Sequence, residues 1–315
     1  MSHEIATHPA LTGDQVDLVA GPARLTVAQV GASLRRLTVD GADVLDGYGR
    51  DEIASAAQGQ ALVPWPNRLR DGRYAFEGRA FQVPLTEPEK GNAIHGLARW
   101  VRWDVVDRSS DRATLRHVIC PQPGYPFLLA LEVTFLLDAG GVTIRSTALN
   151  AGERRLPYGI GFHPYLTVGT ERIDDARLRV PARARLITDD RGVPTGERAV
   201  VDGTAYDFRQ ERPIGSTQLD TAFADLERDA QGRAHVTLAA PADGRRLRVW
   251  LGEAYRWLMA FTGDALPDRD RRRRSLGIEP MTCPPNALQT GEGLQILRPG
   301  DRHVGEWGIA WGSCA

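Results

Sequence analysis

Three times along this chain, two short runs of strand-forming residues are held apart by a turn that contains glycine. Tyr74 to Phe76 and Phe81 to Val83 flank Glu77-Gly78-Arg79. Leu131 to Leu137 and Val142 to Ala148 flank Asp138-Ala139-Gly140-Gly141, and Arg233 to Ala239 and Arg245 to Leu251 flank Ala242-Asp243-Gly244. A connection this short reverses the chain into an antiparallel neighbour, whereas parallel strands need a crossover of a dozen or more residues. In Ala113-Thr114-Leu115-Arg116-His117-Val118-Ile119 the odd positions form a largely apolar face with the two-residue period of a half-buried strand, and His117 on that face reads as a core histidine. With 33 glycines and 20 prolines in 315 residues, these two types make up about 17% of the chain against an ordinary ~12%, which suits many turns and long loops. The sequence therefore predicts one all-β domain over residues 1–315, a large antiparallel β-sandwich with fewer than about a sixth of its residues in helices.

Charge and reactive side chains narrow the function. Lys and Arg number 39 against 40 Asp and Glu, a net charge of -1, which removes the electrostatic case for nucleic acid or an acidic membrane and leaves a small, uncharged ligand as the expectation. Lys90, the only lysine, lies in the turn-like Glu87-Pro88-Glu89-Lys90-Gly91-Asn92, so Schiff-base chemistry is not expected. Cys120, Cys283 and Cys314 lack a C-x-x-C pairing and read as free thiols, with neither a disulfide framework nor a zinc site. The segment Met1 to Pro9 lacks a secretion-signal pattern, and no apolar run approaches the ~18 residues of a membrane span, so a soluble cytoplasmic protein is the expectation. Nucleotide-cradle, zinc-protease and serine-hydrolase motifs are absent, and no metal or cofactor is expected. The run Asp268 to Arg274 reads as a solvated loop, with contact to a phosphate or a second subunit as the alternative.

What remains is a set of polar side chains in unusual frames. His95 in Ile94-His95-Gly96, His163 in Phe162-His163-Pro164-Tyr165 and Glu279 in Ile278-Glu279-Pro280 are titratable groups among apolar, glycine and proline neighbours. In such surroundings burial and a near charge move pKa values, and one carboxylate with two imidazoles suggests acid–base work. Arg68, after Pro64-Trp65-Pro66-Asn67, either donates to sugar hydroxyls or only pairs with a neighbouring carboxylate. Asp220 by itself reads as an ordinary cap or turn residue.

Taken in order, Asn67-Arg68 with Gly72, Ile94-His95-Gly96, Gly124-Tyr125-Pro126, His163-Pro164-Tyr165, Asp220-Thr221-Ala222-Phe223, Ile278-Glu279-Pro280-Met281-Thr282 with Pro285-Asn286-Ala287, and Leu297-x-Pro299-Gly300 resemble the aldose 1-epimerase (galactose mutarotase) family. The resemblance implies a galactose mutarotase-like supersandwich with a sugar cleft on one sheet face. It makes Glu279 the general base for the anomeric hydroxyl and His163 the acid for the ring oxygen. Arg68, His95 and Asp220 would hold the sugar, with Asn67 in the binding shell and His95 also near the ring oxygen. Trp65, Trp100, Trp103 and Phe223 are candidates for a stacking platform. Phe162 before His163 and the short segment from His95 to Trp100 differ from the family's best-known members and bear on which aldose is taken. The expected partner is a free aldose, bound by a monomer or homodimer. The competing readings are a hexose-6-phosphate mutarotase using the arginines of 269–274, a glycoside hydrolase using Asp220 with Glu279, and a non-catalytic sugar-binding module.

Overall fold

A computed structural model describes residues 10–241 and 244–312; Cys314, the segment before Ala10 and the turn residues Ala242 and Asp243 lie outside the described residues. Each short glycine turn with both flanks described reverses the chain as its spacing requires. Leu129–Leu137 pairs with Gly141–Asn150 over nine register positions, from Leu129 opposite Asn150 to Leu137 opposite Val142. In the hairpin of Arg73–Phe76 with Arg79–Gln82, Phe76 stands opposite Arg79. The turn is thus Glu77-Gly78 alone, with φ of 49° and 75°, the backbone twist that a two-residue hairpin demands. Arg79, expected in the turn, belongs to the strand.

The ladders build two large antiparallel sheets. One has nine strands in the order Asp104–Arg108, Arg112–Ile119, Leu129–Leu137, Gly141–Asn150, Arg302–Trp311, Arg246–Leu251, Ala234–Ala239, Arg177–Arg179 and Arg212–Pro213. The other has eight: Pro194–Val200, Ala182–Thr188, Asp220–Leu226, Trp257–Phe261, Leu276–Met281, Gly161–Phe162 and Ala61–Leu62 in order, with Tyr165–Leu166 added alongside Leu276–Met281. A four-stranded sheet, Gln15–Ala20 to Ala42–Asp43, completes the frame. Among the described residues the only α-helix is the four-residue Ala287–Thr290.

Period-two alternation sends one side of each sheet into a common core. Leu115, Val133, Phe135, Ile144 and Trp307 of the nine-stranded sheet meet Phe223, Leu258 and Ile278 of the eight-stranded sheet and Leu18 and Leu25 of the smaller one in a contiguous buried cluster. Phe223, Trp65 and Trp103 belong to this core, so they are not the stacking platform they were candidates for. Trp100 is 47% exposed. His117 is half-buried with its ring 5.6 Å from that of Trp103, as a core histidine.

The arginine run is not a free solvated loop. Arg273 is buried and bonds Asp174 and Asp264 and donates to the carbonyl of Gly215. Arg271 donates to the carbonyl of Gly47, Arg272 to that of Leu266, and Arg274 pairs with Asp46. The physical reason is local: the fold sets carboxylates and backbone carbonyls of neighbouring segments opposite these guanidinium groups, which bond them.

Candidate active site

The second face of the eight-stranded sheet gathers the candidate residues, and strand register decides which side chains share it. In Leu276–Met281, Leu276 and Ile278 point into the main core, which leaves Gly277, Glu279 and Met281 on the other face. Glu279 stands opposite Met259, Gly277 opposite Phe261, and Phe261 opposite Asp220. Tyr165 lies opposite Gly277 from the other side. Asp220, Phe261, Gly277 and Tyr165 thus form one row across four strands, with Glu279 a step along the same face. The missing side chain at Gly277 leaves that row open beside the Glu279 carboxyl. Leu186, Ala222, Ala224, Trp257, Met259 and Met281 form an apolar floor farther along.

The histidines reach this face from loops. His163 follows Gly161–Phe162 and sets its Nε2 3.3 Å from Glu279 Oε1. Its ring stacks on Tyr165 at 4.8 Å and meets Phe261 edge-on at 6.4 Å. His95 stands edge-on to it, with ring centroids 5.4 Å apart. His95 sits at the end of the short ladder of Arg68–Arg70 with Asn92–Ile94, at φ 64°. Asn67 holds it there: its carbonyl accepts from the His95 N–H, and its own N–H donates to His95 Nδ1 at 3.2 Å. An Nδ1 that accepts leaves the proton on Nε2, so His95 presents a donor. Gly96 lets the chain pass because a Cβ there would lie 2.1 Å from the carbonyl oxygen of Val63.

Of the two readings raised by the sequence for Arg68, the structure shows the pairing with carboxylates, one of which is Asp220 of this row. The guanidinium makes a forked contact with Glu87 and a 3.2 Å bond from Nη1 to Asp220. Asn92 donates to the second Glu87 oxygen at 2.9 Å. Glu87 and Asn92 escaped the sequence reading because the segment between them looked like a turn and nothing more. The turn is what joins them, with Pro88–Lys90 as a 3-10 turn closed by Gly91 at φ 66°. Asp220, read alone as a cap or turn, opens a strand instead, and Glu279 stands inside one.

Burial governs the electrostatics. It pushes the Glu279 carboxyl well above the usual carboxylate range; Asp220 adds to this and Arg68 opposes it. Burial lowers His163 to about 3, its own backbone opposing and Arg99 assisting. His95 is driven well down, again first by burial, then by His163, Arg99 and Arg68. Burial thus disfavours the charged form of both partners in the contact between Glu279 and His163. Burial works against the charge of Arg68, but Asp220 and Glu87 outweigh it and hold the guanidinium ionised. Glu279 Oε2 and His163 Nδ1 are buried with no partner among the described residues.

An antiparallel supersandwich with these groups on one sheet face defines the galactose mutarotase-like class. The family model for aldose 1-epimerase matches residues 14–309, and the chain belongs to that family. It is 33% identical over 298 residues to the uncharacterized protein YihR of Escherichia coli K12, covering 94% of this chain and 93% of that one. It is 25% identical over 319 residues to the galactose mutarotase of Mus musculus, covering 93% and 90%. The GalM/aldose epimerase homologue from C. elegans superposes with a TM-score of 0.85 at 18% identity, over 95% of this chain and 98% of that one. Galactose 1-epimerase from Lactobacillus acidophilus superposes with a TM-score of 0.81 at 21% identity, over 95% and 94%.

Proposed function

We propose that this protein is an aldose 1-epimerase that interconverts the α and β anomers of a free aldose by acid–base ring opening. The observation that carries the reading is the buried contact of Glu279 with His163, 3.3 Å apart, beside Asp220 and Phe261 on the same sheet face. Glu279 takes the proton from the anomeric hydroxyl, the O1 electrons form the C1 carbonyl, the bond from C1 to the ring oxygen breaks, and His163 delivers a proton to that oxygen. Rotation about the C1–C2 bond and reversal give the other anomer. Each of the two groups contributes roughly 10²–10⁴ in rate.

The cycle balances in protons: the one that Glu279 takes from O1 is matched by the one that His163 gives to the ring oxygen, and reversal restores both groups. Arg68, held by Glu87 and Asp220, and the donor Nε2 of His95 bind hydroxyls, while Asn67 positions His95. Asp220 is engaged by Arg68, and the titratable pair in contact is a carboxyl with an imidazole, which favours this reading over a glycoside hydrolase built on two carboxyls.

Polarimetry or NMR of freshly dissolved anomers tests it. Glu279→Gln keeps the shape and removes the base, so turnover should fall by roughly 10²-fold or more while sugar still binds. His163→Asn should do the same. A Glu279→Gln enzyme with a near-normal rate would sink the assignment.

A further inference from the structure

Arg99 has no place in the chemistry described so far, yet the fold brings it to the same cleft. It lies four positions after His95 and is tied to His163 through one residue. Gln60 donates from Nε2 to the Arg99 carbonyl at 2.7 Å, and the Gln60 carbonyl accepts the N–H of His163. Its guanidinium lies 4.7 Å above the Trp100 ring and has neither a carboxylate partner nor a hydrogen bond among the described residues. It is half-buried, and its charge is felt at both His95 and His163. The other site arginine, Arg68, is doubly paired. The carboxylate whose charge Arg99 feels, Glu87, is already forked to Arg68, and a partly buried guanidinium with no anion in contact is costly and is kept where one arrives.

Position says which part of a sugar it would meet. His163 delivers its proton to the ring oxygen, and the ring carbon bonded to that oxygen, other than C1, is C5, which bears the exocyclic C6. A cation on the histidine side of the cleft therefore faces the C6 substituent, whereas Arg68 and Asp220 face ring hydroxyls. We infer that the aldose carries one negative charge on its exocyclic carbon, as a carboxylate or a sulfo group, and that Arg99 binds it. One guanidinium neutralises one charge; a phosphate dianion would leave a second charge uncompensated, and Arg271 to Arg274, which could have met it, are bound to Asp174, Asp264, Asp46 and backbone carbonyls.

This inference rests on the mutarotase reading, and two readouts separate them. Anomer exchange measured by NMR on D-glucose, D-glucuronate, 6-deoxy-6-sulfo-D-glucose and D-glucose 6-phosphate, with the galacto series in parallel, should give kcat/KM at least ~10-fold higher for a monoanion than for the neutral sugar. Added salt should shrink that ratio. Arg99→Gln should collapse the preference through KM, lowering the anionic sugar at least ~10-fold more than the neutral one, and Arg99→Lys should restore part of it. Carboxylate against sulfonate identifies the group. Equal rates for neutral and monoanionic sugars, a preference for the phosphate, or an Arg99→Gln variant that loses both sugars equally would overturn the inference. Equilibrium binding, followed by calorimetry, stands apart from turnover. Arg99-dependent binding of the monoanion without anomer exchange would retain the anion site and discard the mutarotase, and exchange without charge preference would do the reverse.

Discussion

At the scale of single residues, the site is a carboxyl and an imidazole stripped of water and braced by charges one contact away. Glu87 makes the point, because it touches no reacting atom and yet sets the direction of the Arg68 fork. With Arg68 in its proposed binding role, Glu87→Gln should raise KM by roughly 3- to 10-fold with kcat little changed, since a binding contact is made in ground and transition states alike. The double variant Glu87→Gln with Arg68→Ala should cost no more than Arg68→Ala alone, a non-additivity that steady-state kinetics would reveal. Additive losses would mean that Glu87 acts independently of Arg68. None of this was legible beforehand: Arg68, His95, His163, Asp220 and Glu279 stand out by their frames, whereas Glu87 acquires its role only when the turn at Gly91 brings Asn92 against it.

At the scale of elements, short loops do the positioning and tolerate little. His95 depends on Gly96, which has φ 72° and a Cβ position 2.1 Å from the Val63 carbonyl oxygen. Gly96→Ala should destabilise by more than about 2 kcal/mol in urea unfolding, through forced positive φ and a backbone clash. Because it moves His95, turnover should fall as well. The loop of Arg269 to Arg274 is a strut rather than a lid. Arg273→Leu leaves Asp174 and Asp264 without their buried cation, and about 3 kcal/mol should be lost while the KM for sugar stays close to that of the parent. Retained stability in that variant would return the run to the solvated loop that its composition suggests. Composition misleads here because seven charged positions in sequence say nothing about which carboxylates the fold places opposite them.

At the scale of the whole molecule, the cost of burying the site should appear in stability against pH. His163 is lowered from 6.5 to about 3 by burial, so below pH 6.5 the unfolded chain takes up a proton that the folded one refuses. Stability present above pH 6.5 is therefore lost as pH falls towards 3, by at most roughly 5 kcal/mol from this group. Glu279 has the opposite sign: raised well above 4.5, it contributes stability below that value and loses it as pH rises through the folded pKa. His163→Asn should flatten the acid limb of a denaturation series and Glu279→Gln the alkaline limb; unchanged limbs would show that the groups are not held as described. The sequence by itself determined the antiparallel sandwich, because period-two alternation and glycine turns are local signals that permit few other packings. It also singled out the polar residues whose frames are too apolar for ordinary surface groups. Tertiary structure alone decided which of them meet. Register across Asp220–Leu226, Trp257–Phe261 and Leu276–Met281 puts Asp220 and Glu279 on one face and turns Phe223 into the core, and loop closure brings Glu87 to Arg68. Such contacts join positions far apart in the chain, and no local pattern records a partner that only folding supplies.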